Sequence, residues 1–220
     1  MLTMTVVASM DQSAMAPLFA TARELHLSTG DVLFHQADSS SKVYECRHGS
    51  LRLVVSACRG RELILDVVLP GEVFGELAAI DHRGRSASAI AMEETCVAEL
   101  DGDEYLRSVR RDPVLAEAAM CRLARQVRRA NQRICAGETE RLSVRAARLL
   151  LELVGRYSRH DHATGSSIPI TQTDLAEWLG ASREATARVL SELRAIGAIT
   201  TARSRITVLD TRRLASLAAD

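Results

Sequence analysis

Aromatic residues are scarce in this chain of 220 residues, where Phe, Trp and Tyr together make up 3%. The core must therefore be built from Leu, Val, Ile and Ala, and a hydrophobic content of 47% is enough to form one. The chain has no unbroken run of the roughly eighteen apolar residues that a membrane span needs. Its N-terminus has no basic segment ahead of its short apolar run, so we expect no signal peptide, no membrane partner and a cytoplasmic location.

Cysteine is also limited, to an odd number of five with no C-x-x-C pair. This argues against a disulfide framework and against an iron–sulfur site, and it favours a reducing compartment with mostly buried thiols. The neighbours His160-Asp161-His162 lie in a polar stretch without a partner cluster. We therefore expect a solvated loop there and no bound metal.

Net charge is zero, but the two halves differ. Residues 1–104 carry 8 Lys and Arg against 16 Asp and Glu, whereas residues 105–220 carry 20 against 12. An acidic first half and a basic second half suggest two parts with different partners, and the basic part could face nucleic acid.

Short apolar runs follow one another closely from about Leu25 to Leu100, with turn clusters between them. The runs are rich in β-branched residues and no crossover helix separates them. This pattern predicts an antiparallel sandwich or barrel.

The apolar period changes after Asp112-Pro113, where proline suits the first turn of a helix. Residues 114–135 contain no Gly or Pro, and their apolar side chains recur in steps of three and four. That spacing is a heptad seam, which favours helix pairing between two subunits, with arginines on the remaining faces. Ala136-Gly137 predicts a hinge, and a second helix is expected over 140–157. The seam consists of Ala116, Met120, Leu123, Val127, Ala130 and Ile134.

Residues 170–199, "ITQTDLAEWLGASREATARVLSELRAIGAI", predict two short helices joined by a tight turn. Thr171 and Asp174 form a capping box, Gly180 suits the turn, and Ser182 can cap the second helix. In that helix one face is apolar, with Thr186, Val189, Leu190, Leu193 and Ile196, and Gly197 ends it. Such a pair is a helix-turn-helix, whose second helix enters the major groove of DNA.

The polar face of the second helix carries the groups that read base edges. Arg183 and Arg188 can bind the O6/N7 edge of guanine, and Glu184 can accept from cytosine N4. A following hairpin, with Arg203, Ser204 and Arg205 before "ITVLD", can contact phosphates.

"GEVFGELAAIDHRGRSASA" (71–89) is either a surface turn with a solvated arginine or a pocket for a small anion that carries hydroxyls. Gly75 lets a ligand approach the backbone, and Glu76 can accept from a ribose hydroxyl. Arg85 can bind a phosphate diester in a bidentate manner, with Ser86 and the N–H of Ala87 beside it.

Taken together, these segments resemble the cyclic-AMP receptor/FNR (CRP/FNR) family of bacterial transcription regulators over nearly the whole chain. "LGASREATAR" is similar to the recognition-helix signature, and "FGELA…RSAS" to the phosphate-binding cassette of members that bind cyclic nucleotides. The resemblance implies an α+β fold: a β-roll (jelly-roll) domain over 1–110, a dimerisation helix and hinge over 111–137, and a winged helix-turn-helix over 138–220.

The resemblance also assigns residues. The ligand, cyclic AMP or else cyclic GMP, is expected at Gly75, Glu76, Leu77, Ala78, Arg85, Ser86, Ala87, Ala130 and Asn131. Palindromic DNA with TGTGA-like half-sites is expected at Thr171, Ser182, Arg183, Glu184, Ala187, Arg188 and Arg203, with Thr171 on a phosphate. RNA polymerase is an expected partner, although we find no motif for its contact surface.

Two positions depart from the family pattern. Ala130-Asn131 stands where relatives place two polar residues that contact the base, so one hydroxyl contact is lost. Asn131 carries both a donor and an acceptor and suits adenine or guanine. Arg141 stands where relatives usually have a capping Asp, which affects the coupling between ligand and DNA domain.

Other function classes stay open on the sequence alone. A ligand-independent regulator is one. A cyclic-nucleotide phosphodiesterase is another, although His82 is the only nearby base and common catalytic motifs are absent. A purely structural interaction protein is disfavoured by the DNA-reading helix.

Overall fold

The computed structural model describes residues 14–56, 62–158 and 167–219. They form two compact units. The first comprises the described part of Met1–Val55 together with Leu65–Asn131, and the second comprises the described part of Ser56–Ile64 together with Gln132–Asp220.

The first unit is built on two four-stranded sheets. A short 3-10 turn at Ala16–Phe19 precedes the strands, which are β1 Arg23–Leu27, β2 Val32–Phe34, β3 Val43–His48, β4 Leu51–Ser56, β5 Glu62–Val68, β6 Val73–Phe74, β7 Ser88–Ala91 and β8 Thr95–Leu100. One sheet has the order β1-β8-β3-β6 and the other β2-β7-β4-β5. The paired strands run antiparallel, as in β1 with β8 and β4 with β7. The predicted antiparallel β architecture is confirmed.

The core of this unit lies on both sides of the first sheet. Val97 and Cys46 face a cluster with Phe34, Tyr44 and Phe74, whose rings contact one another. On the other side, Ala98 and Leu100 join a second cluster that includes Phe19 and Tyr105. Full burial of each large apolar side chain contributes about 1.5–3 kcal/mol, so these few aromatic residues supply much of the packing.

Two short helices follow from local capping. Helix α1, Glu76–Asp81, starts after Gly75, and α2, Gly102–Arg111, starts at Asp101, whose carboxylate accepts from the N–H of Asp103. The side chain of an N-cap Asp satisfies a backbone donor that the helix leaves free.

The long helix α3 spans Pro113–Thr139. It begins at the predicted proline, but the predicted break at Ala136-Gly137 is wrong, because the helix continues for two residues beyond Gly137. Gly137 is not among the glycines with positive φ. A helical glycine with normal dihedral angles costs only about 1 kcal/mol relative to Ala, which lowers helix stability without ending the helix.

The second unit contains α4 Leu142–Tyr157, α5 Gln172–Leu179, α6 Arg183–Ala195 and α7 Thr211–Ala218. Its sheet has the order β10-β11-β9, with β9 Ser167–Ile168, β10 Ile199–Ala202 and β11 Arg205–Val208. The predicted second helix, helix pair and hairpin are therefore all present. Among the described residues, no helix is both long enough and apolar enough to cross a membrane.

Candidate functional site

Gly75 sits at the turn between β6 and α1 with φ of 81°, in the left-handed region that favours glycine. A Cβ atom at this position would lie 2.7 Å from Nη1 of Arg85. Glycine is thus required twice, by its backbone conformation and by the close approach of the Arg85 side chain.

Arg85 is buried, with 3% of its surface exposed. Its Nη1 donates to the carbonyl of Gly75 at 2.7 Å and its Nη2 to the Ser40 hydroxyl at 3.1 Å. The guanidinium lies 4.2 Å from the centre of the Phe34 ring, a cation–π contact. Burial lowers the pKa of Arg85 below its ordinary value, although the nearby Tyr44 and acidic groups oppose the shift.

The charge of Arg85 is only partly compensated. Its Nε is buried without a hydrogen-bond partner. Within the described ranges, no carboxylate forms an ion pair with its guanidinium. A buried cation in that state is costly unless an anion binds it.

Glu76 is also buried, with 2% exposed. Its Oε2 forms an ion pair with Arg122 of α3, and its Oε1 has no hydrogen-bond partner. Burial lowers the pKa of Arg122, but Glu76 together with the nearby Tyr105 and Glu72 raises it, and the net shift is upward. Glu76 therefore ties α1 to the long helix and keeps one acceptor oxygen free.

Arg122 is not among the residues that the sequence predicts for a site. Arg122 pairs with Glu76, and Arg129 pairs with Asp66 of β5 at 3.0 Å. The signal in the sequence is the spacing of Arg122, Gln126 and Arg129, which places three polar side chains on one stripe of the helix.

A cavity is lined by residues of β2, β4, β6, α1 and α3 and by the segment that leads into β7. Its lining contains seven residues predicted for the ligand, namely Gly75, Glu76, Leu77, Ala78, Arg85, Ser86 and Ala87, and four that were not, namely Phe34, Leu53, Phe74 and Gln126.

Ala130 and Asn131 do not line this cavity in the single chain; both are exposed on α3. Gln126, one turn earlier, is the α3 residue that reaches it. The contact that the resemblance implies between Ala130-Asn131 and the base therefore stays a prediction. His82, the candidate base for phosphodiester hydrolysis, is exposed and does not line the cavity.

The helix pair of the second unit has the predicted caps. The Thr171 hydroxyl accepts from the N–H of Asp174, and the Asp174 carboxylate accepts from the N–H of Thr171, a complete capping box. Gly180 ends α5 with φ of 61°, and Ser182 caps α6 by accepting from the N–H of Ala185. These contacts fix the angle at which α6 leaves the turn.

Helix α6 has one buried and one exposed face. Thr186, Val189, Leu190 and Leu193 are buried, and the four predicted contact residues, Arg183, Glu184, Ala187 and Arg188, are exposed. Hydrogen bonds from its own N–H and from Ser182 hold the pKa of Glu184 below its usual value, so it is an acceptor. Ile196 was expected on the buried face and is 44% exposed, because it is the C-cap residue, beyond the last helical turn.

Two predicted DNA contacts have hydroxyls already in use. Thr171 donates its hydroxyl proton to Asp174 at 2.7 Å, so a phosphate contact through that proton would have to break this hydrogen bond. Ser182 is occupied as the cap. Arg203 lies exposed in the turn between β10 and β11.

The thiols are less buried than expected. Cys46 is buried, Cys96 and Cys121 are half-buried, and Cys135 is exposed. Cys58 and the stretch His160-Asp161-His162 lie outside the described residues.

Comparisons with known proteins agree with this architecture. Residues 24–112 match the cyclic nucleotide-binding domain, and residues 144–217 match the Crp-like helix-turn-helix domain. The chain is 34% identical to the cyclic AMP receptor protein of Thermus thermophilus over 77% of this chain and 76% of that protein. It is 27% identical to a CRP-like cAMP-activated global transcriptional regulator of Mycobacterium tuberculosis, over 93% of this chain and 92% of that protein.

Solved structures show the same fold. A CRP-family transcriptional regulator from Thermus thermophilus superposes with a TM-score of 0.73 at 28% identity, covering 89% of this chain and 97% of that one. FixK2 from Bradyrhizobium japonicum gives a TM-score of 0.77 at 22% identity, covering 91% and 98%. With a cyclic-nucleotide-binding domain followed by a helix-turn-helix, and with relatives that match over most of its length, the chain belongs to the CRP/FNR family of transcriptional regulators.

Proposed function

We propose that this chain is a homodimeric transcription regulator that responds to a cyclic nucleotide, with cyclic AMP as the effector. The observation that carries the proposal is the pair of unsatisfied groups in one cavity. The buried Nε of Arg85 lacks an acceptor, and the buried Oε1 of Glu76 lacks a donor. A cyclic nucleotide offers a diester anion for the first and a ribose hydroxyl for the second.

The arginine has donors to spare for the diester. A guanidinium has five N–H groups, and Arg85 commits two of them to Gly75 and Ser40. Three remain, including that on Nε, which is enough for a bidentate contact to phosphate. The Arg85 guanidinium lies over the Phe34 ring, and this contact limits the rotamers that the Arg85 side chain can adopt.

Cyclic AMP is preferred over cyclic GMP because the relatives from Thermus thermophilus and Mycobacterium tuberculosis are named for cyclic AMP. The residues around the base do not choose between the two nucleotides. Ala130 offers no hydroxyl, and Gln126 reaches the cavity with both a donor and an acceptor. Because such an amide can meet adenine or guanine, a cyclic-GMP-responsive regulator is the alternative within this class.

The ion pair between Glu76 and Arg122 supplies a route from the cavity to α3. A ribose hydroxyl that donates to Glu76 adds a partner to a carboxylate already bound to the long helix. The ligand can shift the arrangement of the helices only by as much as its affinity differs between the two arrangements.

Helix α3 offers the surface for a second copy. Its seam residues Met120, Val127 and Ile134 are 63%, 59% and 64% exposed in the single chain. Apolar side chains at heptad spacing are normally covered by a partner helix. Asn131 follows seam residue Ala130 directly, so in such a dimer it would lie beside the interface.

The dimer would present two α6 helices to DNA. In two-fold DNA-binding proteins of this type, the recognition helices enter successive major grooves about 34 Å apart. Arg183 and Arg188 would read guanines, Glu184 a cytosine, and Arg203 a phosphate, on a palindrome of TGTGA-like half-sites.

The proposal is tested by calorimetric titration with cyclic AMP, cyclic GMP and 2′-deoxy cyclic AMP. The deoxy compound removes the single free ribose hydroxyl without changing the protein. Since a hydrogen bond to a charged group contributes about 1.5–3 kcal/mol, we expect binding about 10- to 150-fold weaker than that of cyclic AMP. Glu76→Gln keeps an acceptor oxygen without the charge, so it should reduce this difference to about 2- to 12-fold. Glu94→Gln, at an exposed acidic residue, should preserve it.

The titration also separates the alternatives. If none of the three compounds binds, the proposed cyclic-nucleotide effector is refuted, and operator binding by the chain without any nucleotide would support the ligand-independent alternative. If cyclic AMP is converted to AMP during the titration, the phosphodiesterase alternative holds instead.

A further inference from the structure

A second group of chemically reactive side chains lies on the first sheet, away from the cavity. Glu24 and His26 belong to β1, and Cys96 belongs to the neighbouring β8. One carboxylate oxygen, one imidazole nitrogen and the thiol sulfur all lie within 4.8 Å of one another. None of these residues lines the nucleotide cavity.

Strand pairing brings the three side chains together. His26 is the direct partner of Cys96 in the antiparallel register, so both side chains project from the same face. Glu24 precedes His26 by two residues and therefore shares that face. The positions are set by two hydrogen-bonded strands, which hold them more firmly than a loop would.

We propose that Glu24, His26 and Cys96 form a binding site for one Zn²⁺ ion. Zinc is bound in proteins by thiolate, imidazole and carboxylate, at about 2.0–2.3 Å from each ligand atom. Tetrahedral geometry at those lengths separates the ligand atoms by roughly 3.5 Å. The observed separations of at most 4.8 Å need to contract by about 1.3 Å or less, which small rotations of the three side chains can supply.

The donor set distinguishes this site from a common surface cluster. Exposed acidic groups gather without any ion, and where they bind one it is a hard cation such as Ca²⁺ or Mg²⁺. Here one ligand of three is a carboxylate and the other two are a thiol and an imidazole, which select borderline and soft transition metals. The sequence alone does not reveal this site, because Glu24 and Cys96 lie 72 positions apart and meet only through strand pairing.

The fourth position would be filled by water. His48 of β3 is the partner of Cys96 on the other side of β8, but the register shifts between Cys46 and His48, and His48 is not part of the cluster.

The ion would link two neighbouring strands of the sheet. β1 is an edge strand in the order β1-β8-β3-β6, and its neighbour on the inner side is β8. A metal bound to both strands holds the edge strand to the sheet, and ligand binding to the folded state alone raises its stability by mass action.

Cobalt(II) serves as the spectroscopic probe, because a thiolate–cobalt bond gives a charge-transfer band in the near ultraviolet. The full chain is stripped with a chelator, kept reduced with a phosphine and titrated with Co²⁺, and Zn²⁺ is then added in competition. We expect one site per chain, a thiolate band, and its loss when zinc displaces cobalt.

Substitution of the proposed ligands tests which residues bind the metal. Loss of a group that merely orients a ligand weakens metal binding about 10- to 100-fold, so loss of a ligand should weaken it by at least about 100-fold. We expect this for Cys96→Ser and for His26→Gln, with no change for the matched controls Cys121→Ser and His35→Gln. His26 is exposed, so its variant should fold even if the cysteine variant does not, and circular dichroism checks both.

Three results overturn the proposal: no thiolate band with the wild-type chain, a band that persists in Cys96→Ser, or a band that the control Cys121→Ser removes. None of these outcomes bears on nucleotide binding, which is measured separately.

Discussion

Replacement of Arg85 by lysine is the sharpest test of the cavity chemistry. The change keeps the positive charge and most of the aliphatic chain, so it separates the geometry of the guanidinium from its charge. In the structure this group is held by the Gly75 carbonyl at 2.7 Å, the Ser40 hydroxyl at 3.1 Å and the Phe34 ring.

The expected magnitude follows from counting donors. An ammonium has three N–H groups, and if two of them replace the contacts of Arg85 with Gly75 and Ser40, one is left for a phosphate. The guanidinium has three left, so the lysine variant loses at least one charge-assisted hydrogen bond to the diester. Such a bond contributes about 1.5–3 kcal/mol, which corresponds to about 10- to 150-fold in affinity.

The assay is calorimetric titration of cyclic AMP into wild-type chain, Arg85→Lys and Arg83→Lys. Arg83 is exposed and two residues away, so its variant is a matched control that should bind as the wild type does. Thermal unfolding verifies that each variant is folded. If Arg85→Lys binds cyclic AMP within threefold of the wild type, the assignment of the diester to Arg85 is refuted.

Further predictions concern a turn, a cap and the reading helix. Gly75→Ala adds a Cβ that would lie 2.7 Å from Arg85, and it forces alanine to a φ of 81°. Calorimetric titration should therefore show that cyclic AMP binds at least about tenfold more weakly. Wild-type affinity would contradict the packing argument. Arg141 is the N-cap of α4 and makes no side-chain cap hydrogen bond. Arg141→Asp should therefore stabilise the folded chain by about 1 kcal/mol and raise its Tm in calorimetry by about 2–4 °C. Arg141→Ala should leave the Tm unchanged. Arg188→Ala should weaken operator binding by about 1–3 kcal/mol and relax the preference for one base pair. Fluorescence anisotropy at fixed salt measures both effects. An equal loss of affinity for all DNA sequences would indicate that Arg188 contacts a phosphate.

Local signals in the sequence predict the helix pair of the second unit well. The capping box of Thr171 with Asp174, the turn at Gly180 and the cap at Ser182 each act within four residues, and all three are present as expected. Caps and turns whose partner residues are close in sequence can be predicted without knowing the fold.

The cavity is predicted only in part, because part of it is assembled from distant segments. Gly75 and Glu76 stand at the start of α1, and their role follows from the local motif. The partner of Glu76 is Arg122, and no sequence rule links two residues separated by two intervening strands and a helix. The same holds for Phe34, which supports Arg85 from β2.

The helix break predicted at Gly137 is wrong for a physical reason. Glycine ends a helix only where the backbone turns to positive φ, and here it does not. Gln126 lines the cavity from α3, and no local motif in the sequence marks it as a ligand residue.

The measurement that tests the account most directly is the affinity of the wild-type chain for a palindromic TGTGA-like duplex, by fluorescence anisotropy, with and without saturating cyclic AMP. The account predicts tighter binding with the nucleotide and no response in Arg85→Lys at nucleotide concentrations that saturate only the wild type. Equal affinity in the presence and absence of cyclic AMP and of cyclic GMP would contradict it.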